Sequence, residues 1–207
     1  ISDWADALDE MLKLDCELFL PGHGFPIIGK ARIKLALETT SSFLRTIEDQ
    51  TLKLMNQGKS LNQVLHEVEI PENLMKHAWL TPIYDDPQFL IRMIWRRYGG
   101  WWDGEYDRLL PSPRKAEAIA WVELSGGIEN IISKALEQSN QENYAVAAHL
   151  IETAFHADHS NEKTHKARSE IYRKFSLKQS SSMGRNILNH ASLASMKGLR
   201  DMAETEN

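Results

Sequence analysis

The chain has 207 residues, of which 42% are hydrophobic and 26% charged, and its formal net charge at pH 7 is −5. This composition is typical of a soluble globular protein with one large or two small domains. The acidic balance argues against a general nucleic-acid-binding protein, and no run of about 18 apolar residues exists to span a membrane. The single cysteine excludes an internal disulfide, and no secretory signal indicates a compartment.

The N-terminal part of the chain is predicted to contain a helix, a strand and a glycine-rich loop. Apolar residues at helical spacing predict a helix over 3–14, and the stretch 16–20 predicts a short strand. The loop is Pro-Gly-His-Gly-Phe-Pro-Ile-Ile-Gly, residues 21–29. Glycines on both sides of His23 let the backbone turn sharply and leave the imidazole unobstructed. This pattern is typical of a strand end that presents a histidine to a metal ion.

Helices are predicted along most of the remaining chain. Residues 30–56 contain no proline or glycine and predict one helix of about 40 Å. Cap residues predict further helix starts at Ser60, Pro71 and Asp86. Helical segments rich in small residues, which permit close helix–helix contact, are predicted at 114–124, 128–138, 142–156, 161–178 and 183–200. Residues 142–175 resemble one tetratricopeptide-repeat-like unit, and no strand is predicted after Leu20.

The segment 99–113 differs from the helices on both sides of it. It begins Gly-Gly-Trp-Trp-Asp-Gly and contains two prolines. Flexible low-complexity linkers are polar and poor in tryptophan, so an ordered aromatic loop is expected here.

Five short motifs follow one another along the chain: Leu20-Pro21-Gly22-His23-Gly24, residues 49–58, Arg92 with residues 98–104, residues 122–127, and Arg185-Asn186. In order and spacing they resemble the alkyl sulfatase family of metallo-β-lactamase-fold hydrolases. The resemblance implies a mainly α-helical fold. Residues 1–57 are then expected to be a strand–loop–helix remnant of an α/β metallo-β-lactamase-like domain. Residues 58–207 are expected to form the helical, partly tetratricopeptide-repeat-like dimerisation domain.

The resemblance also implies that His23 is the last zinc ligand of a two-metal site. A catalytic zinc needs about three protein ligands and an open position. The family's His-x-His-x-Asp-His signature supplies most of them and precedes the last histidine, yet residues 1–22 contain no histidine. Zinc is therefore expected in the parent family, with an incomplete or absent site in this chain. The structural alternative for His23 is a loop histidine packed in a turn.

One other stretch partly matches the missing signature. His156-Ala157-Asp158-His159 reproduces its last four places, but Ala154 stands where the first histidine belongs. The stretch also lies after His23 and at the end of a predicted helix, so we interpret the match as coincidental. Together with His165, these histidines could bind a stray metal ion.

Three residues are candidates for the substrate cavity of an assembled enzyme. The guanidinium of Arg92 could hold a sulfate, and the resemblance places Trp101 and Trp102 near an alkyl chain. The alternatives are a salt-bridged helix surface and a packed aromatic corner. Phe89 stands where members of the sulfatase branch tend to carry a histidine, three residues before the arginine. No catalytic residue is predicted.

Three functions are compatible with these observations. The leading hypothesis is the dimerisation region of an alkyl-sulfatase-like metallo-hydrolase, not catalytic as an isolated chain. Its partners are expected to be a second copy and the missing metallo-β-lactamase domain. The second hypothesis is part of a zinc-dependent alkyl sulfate ester hydrolase in which His23 ligates metal, and the third is a free-standing helical adaptor. If the sheet is missing, the apolar side chains that packed on it need another cover or stay exposed: Leu18, Leu20, Ile27 and Ile28.

Overall fold

The computed structural model describes residues 1–198 and Asp201. These residues form ten α-helices and one two-stranded antiparallel sheet, so the predicted mainly α-helical fold is confirmed. By packing, the chain divides into two compact units. The first comprises Ile1–Pro82 and Asp86–Leu109, and the second comprises Ile83–Asp85 and Leu110–Asn207. Within the described part of the chain, no helix is both long and apolar enough to cross a membrane.

The first unit contains five helices, the sheet and two short 3-10 turns. In chain order the elements are α1 (Ser2–Leu12), β1 (Leu18–Phe19), β2 (Ile27–Ile28), α2 (Lys30–Asn56), α3 (Leu61–Glu67), α4 (Glu72–Met75), the turn Ala78–Leu80, α5 (Pro87–Gly99) and the turn Tyr106–Arg108.

The long helix α2 is the centre of the first unit. Its apolar side is almost fully buried at Ile33, Leu37, Leu44 and Ile47, and α1, α3, α5 and both strands pack against it. The helix is uninterrupted because its sequence lacks the two residues, glycine and proline, that destabilise helix interiors. The predicted long helix is confirmed within these bounds.

Helix starts in this unit follow the predicted cap residues. Ser60 and Gln63 form a capping box at the start of α3. The side chain of Asp86 accepts a hydrogen bond from the backbone N–H of Gln88 at the start of α5, where Pro87 occupies the first turn.

The second strand corrects the sequence analysis, which assigned residues 21–29 to a loop and no strand after Leu20. β2 pairs antiparallel with β1, with Leu18 opposite Ile28 and Phe19 opposite Ile27. The backbone N–H of Gly29 extends the pairing by donating to the carbonyl of Glu17 at 2.8 Å. A two-residue strand is too short for its periodicity to be visible in the sequence.

The second unit consists of helices packed through small residues. Its elements are α6 (Arg114–Leu124), α7 (Ile128–Asn140), α8 (Tyr144–Ala157), α9 (Glu162–Leu177) and α10 (Ser182–Lys197). Ala135, Ala147, Ala154 and Ala167 are buried in its core with Ile151 and Ile171, as the small-residue pattern predicted. Two other alanines of that pattern, Ala145 and Ala148, lie outside the core. The last residues of the predicted helix 183–200, namely 199 and 200, lie outside the described residues.

The expected domain boundary after residue 57 stays a prediction, since packing divides the chain elsewhere. Helix α2, from the expected metallo-β-lactamase remnant, shares one core with α3 and α5 from the expected dimerisation domain. The remnant is therefore covered on one side by residues that follow it in the sequence.

A buried arginine ties α8, α9 and α10 together. The Nε of Arg168 donates to Glu152 at 2.6 Å, and its Nη1 donates to Asp201 at 2.6 Å and to the hydroxyl of Ser195 at 2.9 Å. The guanidinium also lies over the ring of Phe155, 4.1 Å from its centroid. Burial lowers the pKa of Arg168, but the two carboxylates more than offset this and raise it overall. The arginine therefore stays charged, and both carboxylates lie within hydrogen-bonding distance of it.

We predict that Arg168→Ala lowers the free energy of unfolding of the second unit by about 3–5 kcal/mol, because Glu152 and Asp201 lose their buried counter-charge. The matched control is Arg173→Ala, an exposed arginine on the same helix, which is expected to stay within about 0.5 kcal/mol of wild type. Urea unfolding followed by circular dichroism measures both. Equal stability of the two variants would contradict the structural role of Arg168.

Candidate functional site

His23 lies in the turn between β1 and β2, and its side chain is exposed. Gly24 follows with φ +98°, a conformation that favours glycine and lets the chain reverse beside the imidazole. Among the described residues, no group of three or more His, Cys, Asp or Glu side chains could hold a metal ion. The side chains present therefore do not fit a complete zinc site, and the role of His23 as a ligand stays a prediction.

The hairpin formed by residues 18–28 has one covered and one uncovered face. Phe19 and Ile27 point inward and pack against the core of the first unit. On the other face the exposed fractions are 52% for Leu18, 68% for Ile28 and 92% for Phe25. We call this uncovered side, with Leu20, the hairpin face. Of the four apolar residues expected to need another cover or stay exposed, Leu18, Leu20 and Ile28 stay exposed, and Ile27 is covered by the core of the first unit.

The histidines of the partial signature pack around an aromatic ring. Phe155 is fully buried, and the ring of His159 stacks on it with centroids 4.5 Å apart, while His165 contacts it edge-on at 5.5 Å. The Nε2 of His165 lies 2.8 Å from the carbonyl oxygen of His159. His156 is buried and lies 3.2 Å from the guanidinium of Arg114. This arrangement gives the histidines a packing role in the second unit.

Arg92 lies on the exposed side of α5, opposite the buried Ile91 and Ile94. Its neighbour Arg97 forms an ion pair with Asp3 at 3.0 Å, and this contact raises the pKa of Arg97 and lowers the pKa of Asp3. For Arg97 the salt-bridged helix surface is therefore what the structure shows. Arg92 is exposed, and none of the described residues forms an ion pair with it.

The two tryptophans of the aromatic loop have different environments. The carbonyl of Trp102 accepts a hydrogen bond from Nε1 of Trp95 at 2.9 Å, and its own Nε1 donates to the carbonyl of Glu105 at 3.0 Å. Trp102 thus forms a packed corner. Trp101 instead is 79% exposed, so its indole is the one that can meet a substrate or a partner.

Asp103 and Gly104 fix the shape of this loop. The Asp103 carboxylate accepts hydrogen bonds from the backbone N–H of Glu105 at 3.0 Å and from Arg108 at 3.1 Å. Its carbonyl accepts one from the backbone N–H of Leu61 at 2.8 Å. Gly104 has φ +86°, and a Cβ there would lie 3.0 Å from the Cα of Ser60. The loop is therefore ordered, as its composition predicted, and it is attached to the start of α3.

The sequence analysis missed one buried acid in this unit. Glu48 of α2 is 6% exposed, and its Oε1 accepts a hydrogen bond from the hydroxyl of Tyr98 at 2.8 Å. The signal was available, since Glu48 falls between Leu44, Ile47 and Thr51 on the buried side of the helix. A carboxylate on an apolar stripe indicates a buried hydrogen-bonding partner.

Comparison with known proteins identifies the family. The sequence model described as "Alkyl sulfatase dimerisation" matches residues 60–198. The chain belongs to this family. The resemblance drawn from the five motifs is therefore confirmed, and the family match begins close to the domain boundary that it implied.

Similar curated proteins are alkylsulfatases. A linear primary-alkylsulfatase of Pseudomonas sp. (strain ATCC 19151) is 25% identical over 172 residues, which is 83% of this chain and 33% of the relative. An alkyl/aryl-sulfatase of Saccharomyces cerevisiae is 25% identical over 170 residues, 81% of this chain and 26% of the relative. The chain thus spans about a third or less of the length of these relatives.

A solved structure shows the same fold. The stereoselective inverting sec-alkylsulfatase Pisa1 from Pseudomonas sp. matches with a TM-score of 0.90 and 21% sequence identity, over 96% of this chain and 32% of that protein. The metallo-β-lactamase type of these homologues implies metals in the parent family. In the described part of this chain, no group of side chains around His23 could hold a metal ion.

We predict that Gly104→Ala destabilises the first unit by about 2–3 kcal/mol, since it adds a contact with the Ser60 backbone to the strain of a positive φ. The matched control is Gly58→Ala, at φ +76° with open space around the added Cβ, which should cost only about 1 kcal/mol. Urea unfolding of both variants gives the difference. Equal losses would show that the close approach of the loop to Ser60 contributes nothing.

Proposed function

We propose that this chain is the dimerisation region of an alkyl-sulfatase-type metallo-hydrolase and that it forms a homodimer. The match of the dimerisation family to residues 60–198 carries the proposal. The small share of each relative that the chain covers supports a region rather than a whole enzyme. Large exposed apolar side chains in the matched part, among them Trp101, Trp121 and Leu124, supply surface that association can bury.

We further propose that the hairpin face is the docking surface of the metallo-β-lactamase domain of the parent protein. This face lies outside the family match, in the segment that resembles the end of that domain. Apolar side chains on a two-stranded hairpin are the natural continuation of a larger sheet, since a lone hairpin is only marginally stable. In that assembly His23 is the last ligand of the metal site, and the other ligands come from outside this chain.

A second candidate function follows from the same assembly: the chain is part of a zinc-dependent alkyl sulfate ester hydrolase. Arg92 and Trp101 support this candidate, because both side chains are exposed and available to a cavity formed with another domain. Bound zinc would supply the activated water in such an enzyme. Since the described residues offer no complete metal site, the residues of this chain are expected to bind and position substrate rather than to hydrolyse it.

Light scattering coupled to size exclusion tests the homodimer. The chain has a mass of 23.7 kDa, and we predict about twice that mass at micromolar concentrations, since stable homodimers bury at least about 1,200 Å² in total. A dilution series gives the dissociation constant. A mass equal to one chain at every concentration would overturn the proposal.

Hydrolysis of dodecyl sulfate in the presence of zinc tests whether this chain completes a working metal site by itself. We predict that the purified 207-residue chain releases no sulfate above background, because three ligands are needed for a catalytic zinc. His23→Ala is the paired variant and should behave like the wild type. Sulfate release that His23→Ala abolishes would show that the chain completes a working site by itself.

A further inference from the structure

Helix α6 carries both apolar and charged residues around its circumference and is covered on one side only. Seven of its eleven residues are apolar: Ala116, Ala118, Ile119, Ala120, Trp121, Val122 and Leu124. Ala118 is buried and Val122 packs partly against the core of the second unit. The larger side chains point away from it, with Trp121 53% and Leu124 77% exposed. Large apolar side chains left exposed next to one another supply surface that association can bury.

The neighbouring helix α7, by contrast, exposes no large apolar side chain. α7 buries Ile131, Ile132 and Ala135, and its exposed side carries charged residues such as Lys134 and Glu137. In α7 the apolar residues are therefore on the buried side and the charged residues on the exposed side. The second unit covers α7 as the sequence requires, whereas most of the apolar surface of α6 has no cover within the described residues of that unit.

We infer that the exposed side of α6, defined by Ile119, Ala120, Trp121 and Leu124, is the centre of the interface with a second copy of this chain. The inference rests on the proposed homodimer and locates it. α6 lies within residues 60–198, the part that matches a dimerisation family, whereas the hairpin face lies outside it. The hairpin face is thereby assigned to another domain, and the exposed side of α6 to a second copy. Tryptophan is also among the residues that dominate binding energy at interface centres.

The size of the helix limits how much of the interface it supplies. Eleven residues make a helix about 16 Å long, and each partner of a standard interface buries about 800 Å². α6 alone is too small for that area, so adjoining surface must complete the contact. Side chains at its centre should then carry most of the affinity, while those around them exclude water.

A matched pair of substitutions tests the assignment. Leu124 and Leu177 are the last residues of α6 and α9, and both are largely exposed, at 77% and 68%. Leu124→Lys should raise the dimer dissociation constant at least ~10-fold in sedimentation equilibrium, and Trp121→Lys should do the same. Leu177→Lys should stay within about twofold of wild type, because it places the same charge at an equivalent helix end. Circular dichroism checks that each variant is folded.

The possible outcomes distinguish a wrong interface from a wrong homodimer proposal. A wild-type dimer whose affinity is unchanged by Leu124→Lys would overturn the α6 interface and leave the homodimer standing. A wild type that is monomeric at every concentration would overturn the homodimer and the interface with it. Equal weakening by Leu124→Lys and Leu177→Lys would also count against α6. Hydrogen exchange of wild type gives an independent measure, since amides of 114–124 should gain protection above the dissociation constant.

Discussion

The apolar side of α2 is the surface on which the first unit depends. Ile33 and Leu37 near its start, and Leu44 and Ile47 further along, are almost fully buried by α1, the hairpin, α3 and α5. Because α2 is long and uninterrupted, it gives these short elements a common support. None of them is stable alone, since helices shorter than about 12–15 residues and lone hairpins are marginal in water. The hairpin that carries His23 is therefore held in place from one side only.

Each of the two units also contains buried polar side chains that pair with one another. Glu48 of α2 accepts a hydrogen bond from Tyr98 at the end of α5. Arg168 of α9 joins Glu152 of α8 to Asp201, beyond the end of α10. Such groups contribute little net stability when paired and cost several kcal/mol when one partner is removed. The pairs therefore matter more for what their loss would cost than for what they add.

Much of this architecture was predictable from the sequence, and the failures have identifiable causes. The bounds of α2 follow from the absence of helix breakers, and the start of α3 follows from its capping residues. β2 was missed because two residues show no period. Trp101 and Trp102 could not be told apart, since adjacent loop residues point wherever tertiary contacts place them. Trp102 is held by hydrogen bonds with the carbonyl of Glu105 and with Trp95 of the preceding helix α5.

His23 is informative because of what surrounds it rather than because of its chemistry in this chain. The glycine-flanked turn survives at the end of β1, and its outer face carries Leu18, Phe25 and Ile28 in contact with little else. An exposed face of that kind is costly to keep in an isolated protein, because it promotes aggregation. The covering domain proposed above would bury Leu18 and Ile28 beside the exposed His23. The exposed side of α6 has no such histidine and lies within the dimerisation match. The same criterion, an exposed apolar surface, therefore favours a second copy of this chain as its partner.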